Sequence, residues 1–294
     1  MSAPTVYLVD ASPYIFRAYF AIKGGMLAPD ARPVNAVYGF ANFLLKLIAD
    51  TKLDHIALAF DRSLNTSFRN AMYPAYKAQR ELPPAELEAQ LDLSERVAQA
   101  LGIATFIDDT YEADDLLAGV LRSLGGGVEA VIVSSDKDLA QLVTERVSLW
   151  DYARETRYGP DEVAAKFGVR PKQMVDFLGL AGDSVDNIPG VRGVGAKTAT
   201  ALLANFEDLE ALYGNLEAVA SLPIRGAKTL GAKLATEREK AFLSRQLATV
   251  ANDKPESVRL DDLAWRGAVR AQLEPLLLEL GFNRLADRVP RWRS

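Results

Sequence analysis

The sequence predicts an α/β protein: a mainly parallel central sheet flanked by helices, followed by a second, helical region. Three observations carry this. Short runs rich in Val, Ile and Leu at 6–9, 56–60 and 131–133 alternate with helical patterns such as 36–49 and 87–101. Buried strands alternating with helices make a parallel sheet. Each run is followed closely by an acid, Asp10, Asp61 or Asp136. From about Tyr158 the strand signals fade and helical segments take over, at Pro160–Phe167, 171–180, Ala196–Leu203, 209–212, 229–247 and 269–280. These patterns set an α/β core over 1–155 and a helical region over 156–294 packed against it.

Composition narrows the chemistry. With 294 residues, 49% apolar and 25% charged, the chain has the makeup of an ordinary globular protein with a sizeable core. It has no cysteine, which excludes disulfides, zinc fingers and thiol nucleophiles. It has one histidine, His55, which leaves no multi-histidine metal site. Any metal must be held by oxygen, which favours Mg²⁺, Mn²⁺ or Ca²⁺. The N-terminus enters a strand at once and does not read as a signal peptide. No apolar run reaches the roughly 20 residues of a membrane span. A cytoplasmic protein with no membrane partner is expected.

Nine carboxylates recur in order: Asp10, Asp61, Glu112, Asp114, Asp115, Asp136, Asp138, Asp183 and Asp186. In parallel sheets, ligands bind beyond the carboxyl ends of the strands. Asp10, Asp61 and Asp136 should therefore converge, although they are far apart in sequence. Glu112, Asp114 and Asp115 open a helix expected over Ala113–Leu124 that stops at Gly125. Glu112 and Asp115 share a face of it. Acids are favourable at a helix N-terminus, but three in four residues exceed what capping needs.

Such a series is a cage for hard cations. A phosphodiester resists hydrolysis because water is a poor nucleophile and charge builds on the leaving oxygen. Two divalent ions about 3.5–4 Å apart address both. Asp10, Asp61, Glu112 and Asp114 are expected around one ion and Asp136, Asp138, Asp183 and Asp186 around the other, a division that spacing alone does not fix. Some acids should act through bound water.

Directly after Asp186 comes a glycine hairpin, Gly190-Val-Arg-Gly193-Val-Gly195, then Lys197 and Thr198. It does not follow a strand, so a dinucleotide fingerprint fails its context. It lies between two expected helices over 171–203, a helix–hairpin–helix in which glycine lets backbone approach a phosphate and the next helix offers its amides. A tight interhelical turn is the bland alternative. Net charge is −5, yet nine acids belong to the series, so the remainder is net positive. Arg225, Lys228, Lys233, Arg238, Lys240 and Arg245 form a stripe that either follows phosphates or is a solvated helix face. Residues 62–93 are basic, aromatic and punctuated by proline. They read as a functional insertion over the active site or as a mobile loop.

These motifs together resemble the 5′-nuclease (flap endonuclease) family: the N-terminal nuclease domain of bacterial DNA polymerase I and free-standing bacterial or phage 5′–3′ exonucleases. The match runs over nearly the whole chain, through Leu8-Val-Asp10, Asn35-Ala-Val-Tyr-Gly-Phe40, Ala59-Phe-Asp61, Tyr76-Lys77, Tyr111-Glu-Ala-Asp-Asp115, Asp136-Lys-Asp-Leu139 and Gly182-Asp-Ser-Val-Asp-Asn187. The resemblance implies a PIN-like nuclease core with a two-metal site. It implies a helical arch at about 67–93 that threads a single-stranded 5′ end. Lys77 takes the place of an arch lysine near the scissile phosphate, Tyr76 is placed to stack on a base, and Arg69 and Arg80 match phosphate contacts. A K⁺ ion is implied at the hairpin, through carbonyls including those of Val191 and Val194. All the family's acidic positions are filled.

The expected function is a Mg²⁺- or Mn²⁺-dependent flap endonuclease and 5′–3′ exonuclease, with Lys77 and Asp136 at the catalytic centre. Expected substrates are DNA with 5′ flaps, nicks or branches, and RNA primers. A monomer is expected, nucleoid-associated in a bacterium and linked to a DNA polymerase and ligase. The ending Arg291-Trp-Arg-Ser294 reads like the end of a free-standing protein. The rivals are a single-strand RNA endonuclease of related fold, against which the duplex grip speaks, and a DNA-junction binder that does not cut, against which the intact acid series speaks.

Overall fold

The first apolar run forms a central strand of a six-stranded sheet. In a computed structural model, which describes residues 3–22, 25–62, 66–252 and 257–293, the strands are β1 (Thr5–Asp10), β2 (His55–Asp61), β3 (Ala104–Asp108), β4 (Glu129–Val133), β5 (Val147–Asp151) and β6 (Thr156–Tyr158). Their order is β3-β2-β1-β4-β5-β6, parallel throughout except that β6 runs antiparallel to β5. The chain winds from β1 to β3 in one direction and from β4 to β6 in the other. It reverses between β1 and β4, so a crevice opens at the carboxyl ends of those two strands.

Helices α1 (Ser12–Ala21) and α2 (Asn35–Thr51) cover one face of the sheet, where Val9, Ile56, Leu58 and Val133 are buried. After the short α3 (Phe68–Met72) and a run of turns, α4 (Ala85–Ala100) joins that layer through Leu87, Leu93 and Val97. The opposite face buries Val6, Leu8, Ala57 and Ile132 under α5 (Ala113–Leu124). Segment 62–93 is less exposed than its polar composition implies: Arg69, Tyr76, Leu87 and Gln90 are all buried.

The sheet runs to Tyr158, slightly past the expected limit of the core. The helical region then follows as α6 (Pro160–Phe167), α7 (Met174–Ala181), α8 (Ala196–Leu203), α9 (Leu209–Gly214), α10 (Ala227–Thr236), α11 (Arg238–Ala248) and α12 (Arg270–Glu279), with a two-stranded pair of β7 (Ala268–Val269) and β8 (Trp292–Arg293). The helix expected over 229–247 is two, broken at Glu237 (φ −99°, ψ 16°), because α11 packs on α7 while α10 packs on the turn at Leu216–Ser221. Leu273, Leu276 and Leu277 of α12 return to the α2–α4 layer. Among the described residues no helix is long and apolar enough to cross a membrane.

Candidate active site

Asp10 and Asp61 are the last residues of the neighbouring strands β1 and β2. Two serines next to them fix the local geometry. Ser12 Oγ accepts the Asp61 N–H at 3.3 Å. Ser134, directly after β4, donates to Asp10 Oδ2 at 2.8 Å and accepts the Asp136 N–H at 3.0 Å. Asp136 Oδ1 then accepts the Asp138 N–H at 2.9 Å. Glu112 caps α5 and brings Asp114 with it. Asp10, Asp61, Glu112, Asp114 and Asp136 line one cavity of about 230 Å³, together with Lys77 and Arg80.

Cations of the same chain stand among these acids. Lys77 Nζ lies 2.7 Å from Glu112 Oε2 and 3.8 Å from Asp186 Oδ2. Arg80 pairs with Asp186, and Lys137 pairs with Asp183 and lies 3.7 Å from Asp138. The turn bearing Lys77 is strapped to the loop bearing Asp186: the Lys77 N–H donates to the Asp186 carbonyl at 3.0 Å and Asn187 Nδ2 to the Ala75 carbonyl at 2.6 Å. Lys77 (φ 53°) and Asn187 (φ 56°) are both left-handed non-glycine residues, each costing about 1–2 kcal/mol. Backbone strain held against such a cost marks a site that the surrounding contacts over-determine.

The expected roles of Arg69, Asp115 and Tyr76 change. Arg69 is 3% exposed. Its guanidinium grips Asp115 at 2.7 and 2.8 Å and donates to the carbonyls of Leu247 and Thr249, each at 2.8 Å. A charge buried so deeply must be paired internally, so Arg69 is no phosphate contact. Asp115 accepts those bonds and also the N–H groups of Glu112 and Ala251. Its oxygens are spent, and it braces the start of α5 instead of facing the cavity as a metal ligand. Tyr76 is buried as well. Its hydroxyl donates to Glu112 Oε2 at 3.1 Å and lies 3.2 Å from Asp186 Oδ2, so its ring is not presented to a base.

Burial raises the Asp10 carboxyl to about 7, an effect that the Ser134 bond opposes and Asp136 and Asp61 reinforce. Burial raises Asp138 to about 7, with Asp136 adding to it and Lys137 opposing. Asp114 is pushed well above the carboxylate range by burial, Asp136 and Asp10. Glu112 goes the other way: burial would raise it, but Lys77 and Arg69 together hold it low. The Asp138 Oδ1 atom is buried without a hydrogen-bond partner. Surplus negative charge, oxygen-only donors and a buried carboxylate oxygen that accepts no hydrogen bond, with only the Lys137 ammonium 3.7 Å away among the described residues, fit a hard divalent cation. Among the described residues, no three acidic or histidine side chains already stand at mutual metal-ligating separation, and Lys77, Arg80 and Lys137 are paired with Glu112, Asp186 and Asp183.

The raised carboxyls give a pH signature. In the unfolded chain they titrate near 3.8; in the fold Asp10 and Asp138 titrate near 7. The fold therefore favours their protonated forms, and the stability they contribute is full below pH 4 and lost as pH rises through 7. Chelator-treated protein should melt at progressively lower temperature from pH 5 to pH 8, and saturating Mg²⁺ should flatten that decline. A melting temperature that rises over this interval without metal would contradict the assignment.

Beyond Asp186 the hairpin connects α7 to α8. A Cβ at Gly190 (φ 59°) would lie 2.4 Å from the Gly182 nitrogen, and the Gly190 N–H donates to Ser244 Oγ at 2.9 Å. Gly190 is thus required by a backbone crossing, and its amide is taken, which removes it from the expected phosphate contacts. Gly193 (φ 78°), Gly195 and Lys197 are exposed, and Thr198 is half-buried. A Cβ at Gly193 would sit 2.9 Å from Lys233 Nζ, so α10 delivers a cation to the hairpin. The Val191 and Val194 side chains are buried, and the Val191 carbonyl accepts the Val194 N–H at 2.9 Å.

A family model described as "5'-3' exonuclease, N-terminal resolvase-like domain" matches residues 5–168, and one described as "5'-3' exonuclease, C-terminal SAM fold" matches residues 169–271. The chain belongs to the 5′-3′ exonuclease family. DNA polymerase I of Pseudomonas aeruginosa is 40% identical over 293 residues, which are 99% of this chain and 32% of that protein. The chain therefore spans about a third of the length of that relative. A 5'-3' exonuclease of Buchnera aphidicola subsp. Schizaphis graminum is 32% identical over 280 residues, 95% of this chain and 97% of that protein. Among solved structures, T5 5'-exonuclease with bound divalent metal ions (zinc) aligns with a TM-score of 0.67 at 20% identity, over 94% of this chain and 99% of that one. The catalytic core of Rad2 in complex with DNA substrate aligns with a TM-score of 0.62 at 15% identity, over 96% and 90%. These structural likenesses establish the fold.

In this chain the two family matches meet at Gly168, the left-handed C-cap of α6. Sequence reading passed over Ser12, Ser134 and Lys137. The serines stand two residues beyond Asp10 and two before Asp136, a spacing at which a hydroxyl caps a turn; Lys137 lies inside the Asp136-Lys-Asp-Leu139 motif, and its spacing alone assigns it no role. The basic stripe divides. Arg245 is bound to Glu210 and Asp176, Lys240 to Glu237, and Arg238 lies over the Phe242 ring. Arg225, Lys228 and Lys233 remain exposed.

Proposed function

We propose that this chain hydrolyses phosphodiester bonds near the 5′ ends of branched or nicked DNA and of RNA primers, as a structure-specific flap endonuclease and 5′–3′ exonuclease leaving 5′-phosphate and 3′-hydroxyl ends. The carrying observation is the convergence of Asp10, Asp61, Glu112, Asp114 and Asp136 on one cavity, with Lys77 and Arg80 on its wall. The related structures, T5 5'-exonuclease with bound divalent metal ions and the Rad2 catalytic core with DNA substrate, support the same reading.

Two Mg²⁺ or Mn²⁺ ions bound at this site would supply a water of lowered pKa and a positive field for the departing oxygen. Asp10, Asp61, Glu112, Asp114 and Asp136 would hold them from the sheet side, and Asp138, Asp183 and Asp186 from the side of the 183–188 loop. Ser134 keeps Asp10 oriented, and Asp115 with Arg69 fixes the start of α5. Burial acts to lower the Lys77 ammonium, but Glu112, Asp186 and Asp61 keep it above its ordinary value, so Lys77 meets the scissile phosphate as a cation. Arg80, 40% exposed, offers a second positive group at the rim. The exposed part of the hairpin, Gly193 to Thr198 with Lys233, grips the duplex backbone, and K⁺ at the carbonyls of Val191 and Val194 would stiffen it. The protein works as a monomer in the bacterial cytoplasm, in concert with a polymerase and a ligase.

The deciding experiment is incubation of a labelled 5′-flap substrate with Mg²⁺ and, separately, with EDTA. Mg²⁺-dependent release of the flap is expected. Binding without release would favour a junction binder, and release from single-stranded RNA alone would favour the RNA endonuclease. Lys197→Ala should weaken binding to every duplex sequence alike and lessen the log–log salt slope by about one unit. An effect confined to particular sequences would contradict a backbone grip.

A further inference from the structure

We propose that a second groove, on the far side of α1 from the catalytic cavity, binds a single-stranded nucleic-acid arm of the substrate; the inference rests on the reading of this chain as acting on branched DNA. The groove has a volume of about 1100 Å³, far larger than the catalytic cavity. It exists because β4 leads to β5 through the 3-10 turn Asp138–Leu142 instead of a covering helix. The α1–α2 layer therefore ends before the sheet does. Trp150 of β5 and Arg157 of β6 are register partners on the face left open, Trp150 half-buried and Arg157 exposed.

Its lining has the chemistry of a polyanion with bases attached. Arg17 of α1, Lys46 of α2, Arg157 of β6 and Arg288 from the turn Asn283–Arg288 reach it from four separate elements. Among the described residues only Asp50 and Glu155 oppose them, and Asp50 is already engaged by Lys46 and by the Tyr152 hydroxyl at 2.7 Å. A net positive groove in a chain of net charge −5 is selective for anions. Between the cations lie flat surfaces. The Arg157 guanidinium sits 4.2 Å over the Trp150 ring, and Tyr152 meets Trp150 edge-on at 4.8 Å. Guanidinium planes and aromatic rings interleaved with phosphate-binding cations are how unstacked bases are held. In a duplex the base faces are covered by their neighbours, so the ligand is single-stranded. From Gly39 to Asp50 the α2 wall rises about 16 Å, room for a few nucleotides. Helix α1 separates the two sites: Ser12, Pro13 and Phe16 line the catalytic cavity, whereas Tyr14, Arg17 and Ala18 line the groove. A strand that parts from the duplex beside α1 has this groove next to the site of cleavage.

The test uses the full chain in EDTA, so that no cutting occurs, and three fluorescein-labelled duplexes: blunt, with a 5′ oligo(dT) arm, and with a 3′ oligo(dT) arm. Arg17→Glu combined with Arg157→Glu should weaken binding of one armed duplex by about tenfold and lower its salt slope by about 1.4 units. It should leave the blunt duplex within a factor of about two. The arm that loses affinity identifies the strand. Because charge reversal can disturb the fold, wild-type protein is also photo-crosslinked to 4-thiothymidine in each arm, and peptides carrying Trp150 or Tyr152 should be labelled. Equal loss on all three duplexes, no loss on any, or crosslinks only to the segment around Lys77 would overturn the groove assignment. If wild type cuts flaps in Mg²⁺ while the groove variant binds both arms normally, the groove inference alone fails. If wild type neither binds nor cuts branched DNA, the nuclease reading fails and the groove inference with it.

Discussion

Replacing Asp136 with asparagine should abolish cleavage and at the same time raise the melting temperature of the metal-free protein. Asp136 is the like charge that helps push up Asp10, Asp114 and Asp138. Removing its charge lowers the repulsion that the fold carries when no cation is bound, while the asparagine oxygen can still accept the Asp138 N–H and preserve the turn. Charge optimisation of this kind contributes about 0.5–2 kcal/mol, a shift of a few degrees in Tm. The same change withdraws ligand charge from the site. Metal stabilisation of a phosphoryl transition state is worth several kcal/mol, so single-turnover cleavage in Mg²⁺ should fall by roughly 10³ or more. Duplex affinity should survive, because the exposed hairpin is built from other residues. A variant that cuts within tenfold of wild type, or that melts lower in EDTA, would remove Asp136 from the centre of the site.

The second large effect is expected at Lys77. Lys77→Met keeps most of the side-chain volume and deletes the ammonium that lies 2.7 Å from Glu112. Electrostatic groups aimed at a developing negative charge are worth roughly 10²–10³ in rate, and single-turnover cleavage should drop by that factor. Affinity should fall less, since the substrate phosphate is charged before the reaction as well as during it. A second consequence follows from burial. Glu112 is held low chiefly by Lys77, with Arg69 assisting; without Lys77 its carboxyl should rise, and cleavage should then need higher pH or more Mg²⁺. Lys77→Arg should recover part of the rate, because a planar guanidinium cannot occupy the place of a compact ammonium. Loss of affinity with an intact single-turnover rate would make Lys77 a tether for the strand and not a contributor to the chemistry.

The sequence by itself determined that acids from distant segments line one cavity. A strand followed closely by an acid, three times over in an α/β pattern, obliges Asp10, Asp61 and Asp136 to meet, because parallel strands present their carboxyl ends on one side. The bounds of α5, α6 and α8 were equally legible, since caps, glycines and prolines act within a few residues. The strands β3, β5 and β6 escaped notice. Ala104–Asp108 is half-buried throughout, and β5 and β6 lie at the open end of the sheet, so none has the unbroken apolar run of a fully covered strand.

Only the tertiary structure decided what each charge does. Arg69 reads as a surface cation until Asp115, Leu247 and Thr249 are brought around it from two distant segments. Tyr76 and Gly190 were likewise assigned to the substrate and turn out to be held by Glu112 and by Gly182 with Ser244. Lys137 gains its place between Asp138 and Asp183 only when the fold brings Asp183 beside it. Residue type and spacing fix the local backbone and the side on which a group emerges. Whether a charged or aromatic group then faces substrate or an internal partner depends on burial and on contacts made across the whole chain, and those carry no local signature.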